Sequence, residues 1–136
     1  MGTDIQKVYD AFFIKVSDTD FTGKATLLYQ LFQASIGYCY KTVPESLEYT
    51  YDEVIYVGYF TDTLNFDTIE LLSLGMAREY YLRDLNKLST AKQHIGTQAF
   101  NKLPDLTKQY NTASDNYKNL DDRFYSFRQE FYPYFN

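Results

Sequence analysis

The sequence predicts a mostly α fold: a helical bundle of about four helices with a long C-terminal helix, and an extended or short β arm between helices 2 and 3. Three observations lead there. Apolar residues recur at helical spacing in four separate stretches. A stretch rich in β-branched and aromatic residues, beginning near Pro44, interrupts them. A heptad-like seam then runs from Leu103 to Phe131. With 136 residues and 45% apolar content, the chain reads as a single domain over 1–136 rather than a disordered one.

The first helix is expected over 3–16. Thr3 and Gln6 have capping-box spacing, and Ile5, Val8, Tyr9, Phe12, Phe13 and Val16 form one apolar face. The turn formers of "SDTDFTG" end it. A second helix is expected over 24–41, with Leu28, Leu31, Phe32, Ser35, Ile36 and Cys39 on one side. Cys39, the only cysteine, therefore reads as a small buried thiol. No internal disulfide is possible.

Residues 42–66 form the arm. "VIYVGYF" has strand composition, and "LEYTY" alternates as a short strand or extended arm does. The segment is long for a connection inside a compact domain, and long connections tend to be functional. It is also acidic. From Thr42 to Glu70 the chain carries Glu45, Glu48, Asp52, Glu53, Asp62, Asp67 and Glu70 but no Lys or Arg. A solvated acidic loop is the ordinary reading of such a run. A DNA-gripping surface is disfavoured, because phosphate binding needs clustered bases.

A third, central helix is expected after Asp67, with Asp67 as cap and Glu70 three residues on. Ile69, Leu72, Met76 and Tyr80 form one line, and Leu71, Leu74, Leu82, Leu85 and Leu88 fill neighbouring ones, so this helix is buried on more than one face. Gly75 in its middle predicts a backbone crossing closely there. Residues 89–101 read as a polar connection. In the last helix Leu103, Leu106, Tyr110, Ala113, Tyr117, Leu120, Phe124, Phe127 and Phe131 step alternately by three and four. A helix of about 28 residues is ~42 Å long, which predicts packing along the central helix and then an overhang. Pro133 stops it. The remaining 132–136 form an aromatic tail, "YPYFN".

No catalytic constellation is expected. The single histidine, His94, lies in a polar stretch. "DTDFTG" opens like a calcium loop, but its twelfth position is Tyr29 where a bidentate Glu is needed. Glycine-rich phosphate loops are missing from the sequence, and adjacent Asp121 and Asp122 point about 100° apart on a helix, as a solvated face does. No enzyme activity, cofactor or metal is expected. The opening residues lack the basic and apolar regions of a signal peptide, and no apolar run reaches membrane-spanning length. Tyr (15) and Phe (11) are abundant, which suits either extensive contact surfaces or a Tyr-rich core.

The stretch "YFTDTLNFDTIELLSLGMAREYYLRDLNKL", Tyr59 to Leu88, resembles a family of small virion proteins of tailed bacteriophages, particularly those of Gram-positive hosts. The corresponding residues are Phe60, Leu64, Asn65, Phe66, Ile69, Leu72, Met76, Glu79, Tyr80 and Leu82. Of these, Phe66, Ile69, Leu72, Met76, Glu79 and Tyr80 make up a packing signature. The family more often has Trp after the Glu, where this chain has Tyr80.

The resemblance implies a head-tail connector, the neck adaptor or head-completion type. Such a protein forms a ring, commonly a dodecamer, below the portal protein and joins it to a stopper or tail-completion protein. Double-stranded DNA passes through without sequence-specific binding, and no membrane is involved. The site expected is the virion neck, after assembly in the host cytoplasm. Tyr132, Tyr134 and Phe135 are then expected to dock on the portal or a neighbouring subunit. Glu45, Glu48, Asp52, Glu53 and Asp62 are expected to face the channel or the next neck protein. The alternatives are another neck or tail-completion component, or a free-standing helical module binding a partner through its heptad face.

Overall fold

The computed structural model describes residues 2–16, 19–93 and 103–133. Its elements are α1 (Gln6–Lys15), α2 (Ala25–Cys39), β1 (Tyr49–Asp52), β2 (Val57–Phe60), α3 (Phe66–Gln93) and α4 (Leu103–Phe131). The fold is the predicted mostly-α bundle: four helices, a two-stranded antiparallel sheet between helices 2 and 3, and a long C-terminal helix.

α3 is the spine. Every residue from Leu71 to Ala77 is buried, because α1 and α2 cover one side and α4 the other. α4 runs antiparallel to α3: Arg78 meets Asp121, Gly75 approaches Phe124, and Thr68 meets Tyr132. Ala113, Leu120 and Phe124 of the heptad seam are buried on this contact. The seam is therefore used within the chain. The two helices are 28 and 29 residues long, so α3 accompanies α4 along its length instead of leaving α4 to overhang alone.

α3 continues to Gln93, through residues read from sequence as a polar connection. Polar side chains weaken the periodic signal without opposing the helix, and α3 is only half buried beyond Ala77. At its other end the cap is Asn65, whose Oδ1 accepts from Thr68 N–H at 2.9 Å; Asp67 lies in the first turn instead. α1 also starts later than expected. Residues before it run extended beside β2: Gly2 N–H donates to Phe60 O, Phe60 N–H to Thr3 O, and Ile5 N–H to Gly58 O. Thr3 Oγ1 accepts from Leu64 N–H at 2.8 Å, so its capping box with Gln6 does not form. Asp4 Oδ1 accepts from Gln6 N–H instead.

Gly75 marks a close crossing, but of a side chain and not a backbone. A Cβ there would sit 2.3 Å from Ser35 Oγ, which is buried on α2 and donates to Leu72 O at 2.6 Å.

Candidate interaction surface

The hairpin is the part of the chain best placed to meet another molecule. In "YTYDEVIYVGYF" the register pairs Tyr49 with Phe60, Thr50 with Tyr59, Tyr51 with Gly58 and Asp52 with Val57. The period of two puts Tyr49, Tyr51 and Phe60 on the inner face. That face is clamped to α2. Tyr51 stacks on Tyr29 at 3.9 Å and 6°, Tyr29 and Tyr49 share a hydroxyl hydrogen bond of 3.1 Å, and Phe32 meets both Tyr49 and Phe60. Gly58 is required here, since a Cβ would lie 2.5 Å from Thr50 O and 2.7 Å from Ile5 Cδ1. β2 is thus flanked on both sides, by β1 and by the N-terminal segment, while β1 is an edge strand.

The tip reverses at residues 53–56. Tyr56 N–H donates to Asp52 O at 2.8 Å, and Asp52 Oδ1 accepts from Val54 N–H at 2.8 Å. Tyr56 takes the left-handed conformation, φ 57°. Gly, Asn or Asp are the residues such a turn favours. Instead it presents Val54 (85% exposed), Ile55 (63%), Tyr56 (55%) and Val57 (38%). β-branched and aromatic side chains exposed in a turn break with the local preference for Gly, Asn or Asp, which makes the tip a candidate contact element.

The tyrosine clamp below the tip has a pH signature. Burial, reinforced for Tyr9 by the Tyr51 and Tyr29 hydroxyls and for Tyr49 by its hydrogen bond to Tyr29, pushes both phenols well above the ordinary 10.0. Burial raises Tyr51 as well. Folding therefore favours the neutral phenols. Their contribution is fully present below about pH 10 and is lost as pH climbs through the raised folded-state values. The denaturation midpoint should hold up to about pH 10 and fall beyond it. A midpoint unchanged well into the alkaline range counts against the clamp.

The acids predicted to face a channel or the next neck protein divide into two groups. Glu45 accepts from Asn65 N–H (3.0 Å) and Thr68 Oγ1 (2.9 Å), Asp62 from Ser46 N–H (2.9 Å), and Asp52 holds the turn. These three brace the arm from within, because a loop without regular partners must satisfy its backbone N–H groups. Glu48 and Glu53 are exposed.

Tyr132 is buried at 6% exposure, and its hydroxyl meets Thr68 Oγ1 at 2.7 Å; burial raises its pKa. It is a core residue and not part of a docking tail. Phe131, assigned to the packing seam, is exposed instead, since the chain leaves the helix there and turns Tyr132 inward. Tyr134 and Phe135 lie outside the described residues, as does His94.

Of the packing signature, Leu72 and Met76 are fully buried, and Ile69 and Tyr80 pack against the core. Glu79 accepts from Tyr38 Oη at 2.5 Å and from Arg83 Nε at 3.0 Å, tying α2 to α3. Phe66 does not pack among the described residues: it is 90% exposed at the first residue of α3. Asp121 is no solvated partner of Asp122 either. It pairs with Arg78 at 2.6 Å, inside a ring of Tyr38, Tyr117, Phe124 and Tyr125. No local pattern announces a pair 43 residues apart.

Cys39 is buried, and burial pushes its thiol up to about 12, far from a nucleophile's range. Among the described residues no group of three or more His, Cys, Asp or Glu is arranged to hold a metal ion, and no helix is long and apolar enough to cross a membrane. No protein-family model, curated protein or solved structure matches the chain.

Proposed function

We propose that this chain is a structural virion protein, a head-tail connector of the adaptor type that forms a ring below the portal and joins the capsid to the stopper or tail. The observation that carries a contact role is the preformed apolar tip, Val54 to Val57, held out by a clamped hairpin. The neck assignment rests on the resemblance of residues 59–88. An arm without a single Lys or Arg from Thr42 to Glu70 suits a passage through which DNA must slide without adhering. The free-standing module is less well supported, because the heptad face it would use is already packed on α3.

With Tyr132 in the core, the docking tail reduces to the residues after Pro133. Deleting 134–136 should leave the fold and its denaturation midpoint unchanged while lowering incorporation into particles. Full incorporation of the truncated chain would sink the tail's role.

A further inference from the structure

We infer that the open edge of β1 takes an added strand from another protein, an extended segment whose residues alternate between basic and apolar. The inference deepens the contact role proposed for the hairpin and rests on that part of the reading. It does not depend on the neck assignment.

In an antiparallel pair, residues opposite one another alternate between bonding to each other and turning their N–H and C=O outward. Phe60 N–H donates to Thr3 O and Phe60 O accepts from Gly2 N–H, so Phe60 turns away from β1. Gly58 does the same, its O accepting from Ile5 N–H. Their partners across the ladder are Tyr49 and Tyr51. Both tyrosines therefore turn their own N–H and C=O to the open side, two residues apart. Among the described residues none of these four groups is paired. The sheet's other edge is already completed, since residues 2–5 lie along β2 and bond to it at alternate residues. Donors and acceptors at that spacing match a peptide backbone. Nucleic acids and phospholipids have no amide ladder to return the bonds, and the arm has no base to attract their phosphates.

The side chains along the edge select the sequence of the added strand. The period of two places Glu48, Thr50 and Asp52 on the outer face of β1, and all three are exposed. A cleft of about 620 Å³ is lined there by Thr50, Asp52, Glu53, Ile55, Val57 and Tyr59. A strand added at β1 lies about 4.8 Å away, within reach of that cleft for a Lys or Arg side chain. Its aliphatic stem lies on Val57 and Tyr59 while its charge meets Asp52 or Glu53. On the inner face Tyr29, Tyr49 and Tyr51 are only half buried, which leaves ring surface for an apolar residue. Outward basic residues thus alternate with inward apolar ones. A second copy of β1 is refused, because Glu48, Asp52 and Glu53 would meet the same acids. Past Asp52 the added segment meets the exposed Val54 and Ile55 of the tip.

The test titrates the isotope-labelled full chain with a synthetic peptide alternating Lys and Val, and follows amide hydrogen exchange by NMR. With peptide at about ten times its Kd, Tyr49 and Tyr51 N–H should exchange about tenfold more slowly. Thr50 N–H, which faces β2, should be protected with and without peptide. Glu48→Lys should weaken binding about fivefold. The same peptide N-methylated throughout keeps its charge but loses its N–H donors, and should not bind. Equal binding by the N-methylated peptide or by a peptide alternating Glu and Val overturns the edge partner. So does binding that leaves Tyr49 and Tyr51 unprotected, or no binding at millimolar peptide. Any of these results with normal incorporation into particles leaves the connector reading standing. Protection of both amides in a chain that never enters particles upholds the edge partner and removes the connector reading.

Discussion

Replacing Phe32 with alanine is expected to cost about 3–5 kcal/mol of folding stability. The ring is fully buried and lies where three parts of the fold converge. It meets Tyr9 of α1 at 6.0 Å, Tyr49 of β1 at 5.0 Å, Phe60 of β2 at 5.7 Å and Tyr29 of its own helix at 6.3 Å. Its loss removes apolar burial and leaves a cavity bounded by aromatic rings that cannot collapse together, because each is held elsewhere. The hairpin should loosen with it, so near-ultraviolet circular dichroism from the tyrosines should fall as well as the denaturant midpoint. Phe66 supplies the control. It is the same residue type at 90% exposure, and Phe66→Ala should change stability by no more than about 0.5 kcal/mol. Equal costs at the two positions would contradict the packing described for α2 and the hairpin.

Gly75→Leu should be nearly as damaging, at about 3 kcal/mol or more, through overpacking. Even the first added carbon meets Ser35 Oγ at 2.3 Å and Phe124 Cε2 at 3.4 Å. Ser35 is fully buried and bonded to Leu72 O, so it has nowhere to go. Gly75→Ala is the more informative variant. Helix propensity favours it by about 1 kcal/mol, yet the clash should make it destabilising. Combining it with Ser35→Ala removes the clashing oxygen, although Ser35 Cβ remains 3.2 Å away. The double variant should therefore be more stable than the sum of the single effects, a coupling that a double-mutant cycle reads directly. Additive costs would mean that the two helices do not cross at this pair.

The sequence made the helices legible because their partners impose a period. The apolar lines through Leu28 and Phe32, through Leu72 and Met76, and through Leu120 and Phe124 are each dictated by a neighbouring helix. Gly75 was legible for a related reason, since a glycine in a buried helix needs something close by. What stayed hidden depends on partners distant in sequence. Thr3 looks like a helix cap until Leu64 takes its hydroxyl, and Asp121 looks solvated until Arg78 arrives from another helix. Phe66 and Tyr132 exchange their expected places for geometric reasons. One begins a helix and is exposed among the described residues, and the other follows the last helical turn and folds back onto Thr68.

The acidic arm shows the same division at the candidate surface. Composition alone flagged residues 42–66, but it treated all the acids there as equivalent. In three dimensions Glu45, Asp52 and Asp62 support the arm, while Glu48 and Glu53 are exposed. The residues that best mark a contact, Val54 to Val57, read as strand from their composition. Only the turn geometry, with Tyr56 at positive φ, separates a strand centre from an exposed tip.

The central claim is that this chain works by assembly at the neck of a tailed phage particle. Electron cryo-microscopy of the neck, in virions produced from a genome that encodes the chain, tests it most directly. The account predicts a ring of copies of this chain between portal and tail, with each apolar hairpin tip in contact with a neighbouring chain. A neck fully built from other proteins, with this chain absent from the particle, would contradict it.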